Sequence, residues 1–293
     1  MLHGVAQSVT SPITHFFTVD VEEYFHVNAF ERVISRDTWS SQPRRLEQNL
    51  PLLLELLERH RVSGTFFTLG WVAEHMPALV RRIADAGHEV ASHGYWHRRV
   101  TTMSPREFRD DVRASKSALE NAVGGQVDGY RAPSFSLGGS AAWAHAVLVE
   151  EGFRYDSSVF PIWRPGYGSP GAPREPYTIY TASGPLDEFP LATMSVAGVP
   201  FPAAGGGYLR QLPLAITRHA FRQAGNRGVP ATFYIHPWEI DAAQPRVPVD
   251  ALTRLRHYRG LSRTMGRMDS LLSTFRFGSI RASRTTVSEG SAA

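Results

Sequence analysis

The chain has 293 residues, 42% of them apolar and 20% charged, with a formal net charge of +4. That is enough apolar residue to bury a sizeable core in one large domain or two small ones. It has no cysteine, which removes disulfides, thiolate zinc sites, iron–sulfur ligation and cysteine nucleophiles together, and no apolar run of about 18 residues, which removes a membrane-spanning helix.

Lys116 is the only lysine and sits in a polar helical stretch, so Schiff-base chemistry is set aside. The basic side is almost wholly arginine, without a block of five like charges, so no nucleic-acid partner is expected. The start, MLHGVAQSVTSPITHFF, lacks a basic segment followed by an apolar signal core. The expectation is a cytoplasmic protein, with membrane association only through an assembly system.

In chain order, β-rich runs alternate with amphipathic helical stretches. Strands are expected at Ile13–Val19, Thr65–Leu69, His88–Ala91, Val127–Tyr130, Phe153–Tyr155, Leu186–Phe189 and Ala231–Ile235. Helices are expected at Leu46–His60, Val72–Ala86, Pro105–Ala122 and Ala141–Glu151. Ser104, Pro105 and Glu107 read as a capped helix start, and Gly87 as a helix stop. Phe160–Pro176 and Val196–Tyr208 read as long loops over one face. The alternation implies a mostly parallel sheet covered by helices, and seven strands suit a closed α/β barrel. Residues 242–280 read as an extension packed on the barrel, with a short helix near Thr264–Ser273. Residues 1–13 read as a flexible start and residues 281–293 as a disordered tail.

Four polar motifs follow strands, where reactive groups of such barrels collect. In Thr18-Val-Asp-Val-Glu-Glu-Tyr-Phe-His26 an apolar strand runs into three carboxylates, which cannot be buried unpaired without large cost. Asp20 and Glu22 are two apart and share a face if the strand continues; Glu23 would face away. Ser92-His-Gly-Tyr-Trp-His97 sets His93 and His97 four apart, a spacing that lets two imidazoles bind one ion. One carboxylate and two imidazoles leave open positions, as in a catalytic metal site. Gly129-Tyr-Arg-Ala-Pro-Ser134 offers Arg131 to orient a carboxylate, and the Ser134 N–H to meet a developing oxyanion. Phe233-Tyr-Ile-His-Pro-Trp-Glu-Ile-Asp241 delivers His236, a general acid if a neighbouring carboxylate supports it, with Trp238 as a pocket wall. Asp187 or Glu188 is a weak candidate to orient His236 or Arg131. No Gly-x-Ser-x-Gly elbow or Walker loop is present, and Gly205–Gly207 lacks the lysine and context of a phosphate loop.

The order of these motifs, with Gly64-Thr-Phe-Phe-Thr-Leu-Gly70 and Ala86-Gly-His-Glu-Val-Ala-Ser-His93 between them, resembles the polysaccharide deacetylase family (carbohydrate esterase family four, the NodB homology domain) across residues 14–280. The opening motif, His236–Asp241 and Phe275-Arg-Phe-Gly-Ser-Ile280 resemble more narrowly the branch found with bacterial exosortase and exopolysaccharide gene clusters. The resemblance implies a distorted (β/α) barrel of NodB type over residues 14–241, and metal-dependent removal of N-acetyl groups from a bacterial N-acetylated glycan. By position it implies Asp20 as general base, Arg131 as its partner, His236 as general acid, and His93 with His97 as ligands of a divalent metal, Zn²⁺ by expectation. The run here is Asp-Val-Glu-Glu where the wider family has adjacent aspartates. The third ligand is therefore open between Glu22, favoured by side-chain parity, and Glu23, which would leave Glu22 as the base. Two rivals remain: a glycoside hydrolase using Asp20 with Glu22 or Glu23, and a catalytically silent glycan-binding module. Protein partners are not legible.

Overall fold

The structure, a computed structural model, describes residues 13–164 and 168–284. The expected flexible start, apart from Ile13, residues 165–167 of the expected first long loop, and residues 285–293 of the expected tail lie outside the described residues.

Seven parallel strands close a barrel. They are β1 (Thr14–Val21), β2 (Thr65–Thr68), β3 (Glu89–Ser92), β4 (Gly129–Tyr130), β5 (Tyr155–Asp156), β7 (Gly184–Glu188) and β10 (Thr232–Ile235). β1 to β5 pair in sequence order, β5 pairs with β7, and β10 pairs with β1. The seam closes where the chain beyond β7 bridges β10, Leu191 opposite Thr232 and Gly205 opposite Tyr234. All seven strands coincide with sequence expectations. Added to them are β6 (Tyr177–Thr181), antiparallel to β7, the hairpin of β8 (Thr193–Val196) and β9 (Val199–Pro202), and β11 (Arg276–Gly278).

Side chains of β1 alternate between two cores. Phe16 joins Phe67, Ala91, Tyr155, Phe189 and Ile280 in a small cluster, while Phe17, Val19 and Val21 join the large cluster shared with the helices. The small cluster is the barrel's own floor, and the same parity carries Thr18, Asp20 and Glu22 up the interior wall.

Several expectations change. Val72–Ala86 is two helices, Gly70–His75 and Pro77–Asp85, because Pro77 pushes Met76 out of helical geometry (φ −140°, ψ 51°). Val196–Tyr208 is not a loop: it holds β9 and the start of the helix Gly206–Gln211. Gly205 has φ +141°, and a Cβ there would meet the Tyr234 carbonyl oxygen at 1.8 Å, so this glycine run serves close approach to β10. Residues 242–280 are not simply appended, since β11 pairs in parallel with the first residues of β1. Residues 281–284 continue a helical turn from Ile280, and the Arg281 N–H donates to Glu89 Oε2 at 2.9 Å, against the expected disorder of this part of the tail.

Ile280 is fully buried in the barrel floor. Ile280→Ala should cost about 2–5 kcal/mol in urea unfolding, whereas an appended segment would leave global stability nearly unchanged. His15 and His88 accept backbone N–H groups from Ala231 and Gly64 at Nδ1, and burial lowers both rings to about 4. The unfolded chain therefore binds more protons below the ordinary histidine value of about 6.5. The urea midpoint should fall steadily as pH drops from about 6.5 to about 4.

Candidate metal-dependent active site

The strand ends meet over a cleft of about 760 Å³ lined by Asp20, Glu22, His93, His97, Ser134, His236 and Trp238, among others. Asp20, Glu22, His93, His97, Ser134, His236 and Trp238 of the sequence candidates line this cleft; Arg131 lies beneath it, fully buried, and Glu23, Asp187 and Glu188 are outside its lining.

Arg131 is fixed from four directions. Its Nη1 donates to Asp20 Oδ1 at 2.6 Å and to Thr18 Oγ1 at 2.7 Å, its Nε to the Ser157 carbonyl at 2.9 Å, and its Nη2 to Ser157 Oγ at 2.8 Å. The guanidinium lies 4.0 Å from the centre of the Phe67 ring. A buried cation so bonded keeps a charged partner and a fixed position for Asp20. Asp20 Oδ2 is left toward the cleft, 3.8 Å from His236 Nε2.

Glu22 and Glu23 separate by parity. Glu22 Oε2 lies 2.8 Å from His97 Nε2, and Glu22 Oε1 accepts from Trp238 Nε1 at 3.1 Å. Glu23 turns outward and accepts the Arg45 and Leu46 N–H groups at 2.7 and 2.9 Å, capping the helix Leu46–Arg59. Burial pushes Glu23 up to about 7. Glu22 is also opposed by burial, but His97, then His236 and His93, hold it well below the usual carboxylate range. Glu23 is thus committed to a backbone role.

One ligand atom each from Glu22, His93 and His97 lie within 4.8 Å of one another, the only such group of three among the described residues. The donor set fits a divalent ion. His93 Nδ1 is engaged by the Arg131 carbonyl at 2.8 Å, which fixes the tautomer and leaves Nε2 as donor. His97 Nδ1 is buried without a hydrogen-bond partner, Glu22 Oε2 has His97 Nε2 beside it, and burial lowers His93 to about 4, keeping it neutral. Neutral imidazole and ionised carboxylate are the ligating forms.

His236 is oriented by a residue that sequence reading missed. Its Nδ1 lies 2.6 Å from Glu239 Oε1, and Glu239 in turn pairs with buried Arg210. Burial works against the charged ring, but the Glu239 hydrogen bond, with Glu22 and Asp20, raises it to about 9. The signal was readable: His236-Pro237-Trp238-Glu239 is a capping box with proline at the first helical position. The alternatives do not hold. Asp187 pairs with Arg284, and Glu188 accepts the Val159 N–H. Trp238 does wall the cleft, yet it is mostly buried, stacked against His236 and His257. Ser134, in left-handed geometry at φ +55°, donates through Oγ to Asn28 Oδ1 at 2.6 Å.

The loop joining the histidines is held by Asp111, also missed. Its two oxygens accept the N–H groups of Tyr95 (2.8 Å) and Trp96 (3.2 Å), and His97 follows at φ +49°. Asp111 sits on a helix with no strand-end context to mark it.

The family model described as "Polysaccharide deacetylase" matches residues 37–148, and a domain of unknown function (DUF3473) matches residues 157–284. A peptidoglycan deacetylase of Helicobacter pylori is 30% identical over 113 residues, 39% of this chain and 38% of that protein. A Bacillus subtilis peptidoglycan-N-acetylmuramic acid deacetylase is 31% identical over 83 residues, 28% and 32% of the two chains. The chain spans about a third of the length of the curated relatives it matches. A solved Mycobacterium smegmatis structure described as a candidate polysaccharide deacetylase aligns with 92% of this chain and 88% of its own, at TM-score 0.59 and 20% identity. The last comparison speaks for the fold alone; the others are likenesses to polysaccharide and peptidoglycan deacetylases over part of the chain.

Asp111→Ala should remove the acceptor of two partly buried N–H groups and cost about 1–2 kcal/mol in urea unfolding, with Asp111→Asn recovering part of it; a change under about 0.5 kcal/mol would mean that the loop holds itself.

Proposed function

We propose that this chain hydrolyses the N-acetyl group of N-acetylhexosamine units in a bacterial polysaccharide, of exopolysaccharide or cell-wall type, releasing acetate and a free amine. The observation that carries this reading is the gathering of Glu22, His93 and His97 beside two further groups, Asp20 and His236, each held by its own buried partner.

In this reading Glu22, His93 and His97 hold a divalent ion, Zn²⁺ by its preference for nitrogen and carboxylate donors. Bound there, the ion supplies Lewis-acid polarisation of the acetamide carbonyl and activation of a water near neutral pH. The rest is work for the chain. Asp20 accepts the water's proton at Oδ2, because Oδ1 is engaged by Arg131. The Ser134 N–H stabilises the developing oxyanion. His236 gives a proton from Nε2 to the amine nitrogen as the C–N bond breaks, and Glu239 steadies the charged ring beforehand. Trp238 fixes Glu22 through Oε1 and closes one wall.

The rivals explain less. A glycoside hydrolase has no use for three histidines converging on the carboxylates. A silent glycan-binding module would tolerate Glu22 turned from the histidines, whereas it lies 2.8 Å from His97.

Elemental analysis and acetate release from N-acetylglucosamine oligomers test the proposal together. His93→Ala and Glu22→Gln should lose both bound metal and acetate release, and Glu23→Gln should keep both. Asp20→Asn should keep metal while its rate falls by about 10²–10⁴. Full acetate release after chelation would reject the metal role, and sugar release without acetate would restore the glycosidase reading.

A further inference from the structure

The β8–β9 hairpin stands off the barrel seam, between the residues that bridge β10. Its register pairs Met194 with Phe201 and Val196 with Val199, and directly opposed residues share a face. One face is therefore Met194, Val196, Val199 and Phe201, all apolar. Val196, Val199 and Phe201 are 50%, 54% and 45% exposed. The connecting turn is Ala197-Gly198, both at positive φ (+49° and +82°). Such a turn ordinarily takes Asn or Asp first; here alanine prolongs the apolar surface to the tip.

This face is held rigidly. Gln223, on the helix Leu214–Asn226, accepts the Ser195 N–H at 2.8 Å and donates to the Ser195 carbonyl at 2.9 Å, tying the free edge of β8. Arg174 donates to Thr193 Oγ1 and to its carbonyl, both at 2.7 Å, at the hairpin's base.

Arginines outnumber acids around it, with exposed Glu175 beside Arg174 at the base. Between Glu188 and Glu239 the chain has no Asp or Glu, and it carries Arg210, Arg218, Arg222 and Arg227. Arg210 is buried against Glu239, and Arg218 reaches Ser270. Arg222 and Arg227 are exposed, the first next to the Gln223 clamp. Burial, then the nearness of Arg227, holds Arg174 below its ordinary value against the opposing pull of Glu175, which sets two guanidinium groups and one carboxylate near the base.

We propose that this hairpin is a membrane-surface contact: Val196, Val199 and Phe201 enter the headgroup layer of an anionic phospholipid bilayer, and Arg222 and Arg227 pair with its phosphates. An acidic glycan would satisfy the arginines and leave the apolar face wet. A second copy seated face to face would oppose like charges. An anionic bilayer offers both an apolar layer and negative charge. The contact is peripheral, and it stands independently of the deacetylase reading.

The test is co-sedimentation of the full chain with vesicles of phosphatidylglycerol and phosphatidylcholine, against phosphatidylcholine alone. Binding should favour the anionic vesicles and weaken with salt. Arg222→Gln and Arg227→Gln should each lower the partition coefficient roughly fivefold, as about 1 kcal/mol per arginine implies. Val199→Ser with Phe201→Ser should lower it at least as far, with an unchanged thermal midpoint. Tyr180→Ser, at an even more exposed position on β6, should bind as the parent does. Equal binding to both vesicle types, undiminished binding by the hairpin variant, or an equal loss from Tyr180→Ser would overturn the proposal. So would light scattering that shows a dimer dissolved by Val199→Ser with Phe201→Ser, which would make the face a self-interface.

Discussion

Two carboxylates two residues apart, Asp20 near the end of β1 and Glu22 just beyond it, are buried at the barrel mouth, and the arrangement around them answers that charge. Asp20 and Glu22 are each almost wholly excluded from solvent. Neither could stay ionised there alone, because desolvation of an unpaired carboxylate far exceeds what packing returns. Asp20 is balanced by Arg131, itself buried and bonded to Thr18 and Ser157. Glu22 is balanced by imidazoles from two other strand ends, His97 and His236. The two acids therefore have different partners, which suits one to proton transfer and the other to ligation.

The same logic reaches outward. Arg131 would be an uncompensated charge without Asp20, so the strand-end loop that carries it is locked to β1. His236 is held by Glu239, and Glu239 by Arg210, whose Nη1 also reaches the His257 and Arg259 carbonyls. Arg45 makes two hydrogen bonds to Asp241 just beyond the Glu23 cap. Charged pairs at the mouth thus continue through the hydrogen bonds of Arg210 into residues 242–280, and this segment is part of the apparatus that places the general-acid candidate. Buried ion pairs add little net stability, yet breaking one side of such a pair is costly. Their contribution here is position.

Much of this was legible in the amino-acid order because short apolar strands that end in polar clusters leave a clear mark. Parity along the first strand favours Glu22 over Glu23 as the ligand, without closing the choice. What could not be read is of two kinds. Some elements carry weak contrast: the helix Leu214–Asn226 buries Thr217, Ala220, Phe221 and Ala224, mostly small residues, and β11 is only three residues long. Other features are long-range pairings, such as Arg45 with Asp241, 196 positions apart. No local pattern encodes those. Glu239 is the exception, since its capping-box spacing marks it locally.

The two family matches divide the chain between residues 148 and 157, but the barrel does not divide there. β1 and both carboxylates precede the first match; His93, His97 and Arg131 fall inside it; β7, β10 and β11 fall in the second. β1 lies between β10 and β2 and pairs with β11 near its start. The floor cluster mixes Phe16, Phe67 and Ala91 with Tyr155, Phe189 and Ile280. Neither half encloses a core or completes the cleft alone, so the C-terminal half is an integral wall of the barrel. It brings His236 with its Glu239–Arg210 support, the seam, and the hairpin that stands outside it. A sequence boundary here records where patterns of substitution change, while the physical unit is the closed ring of seven strands.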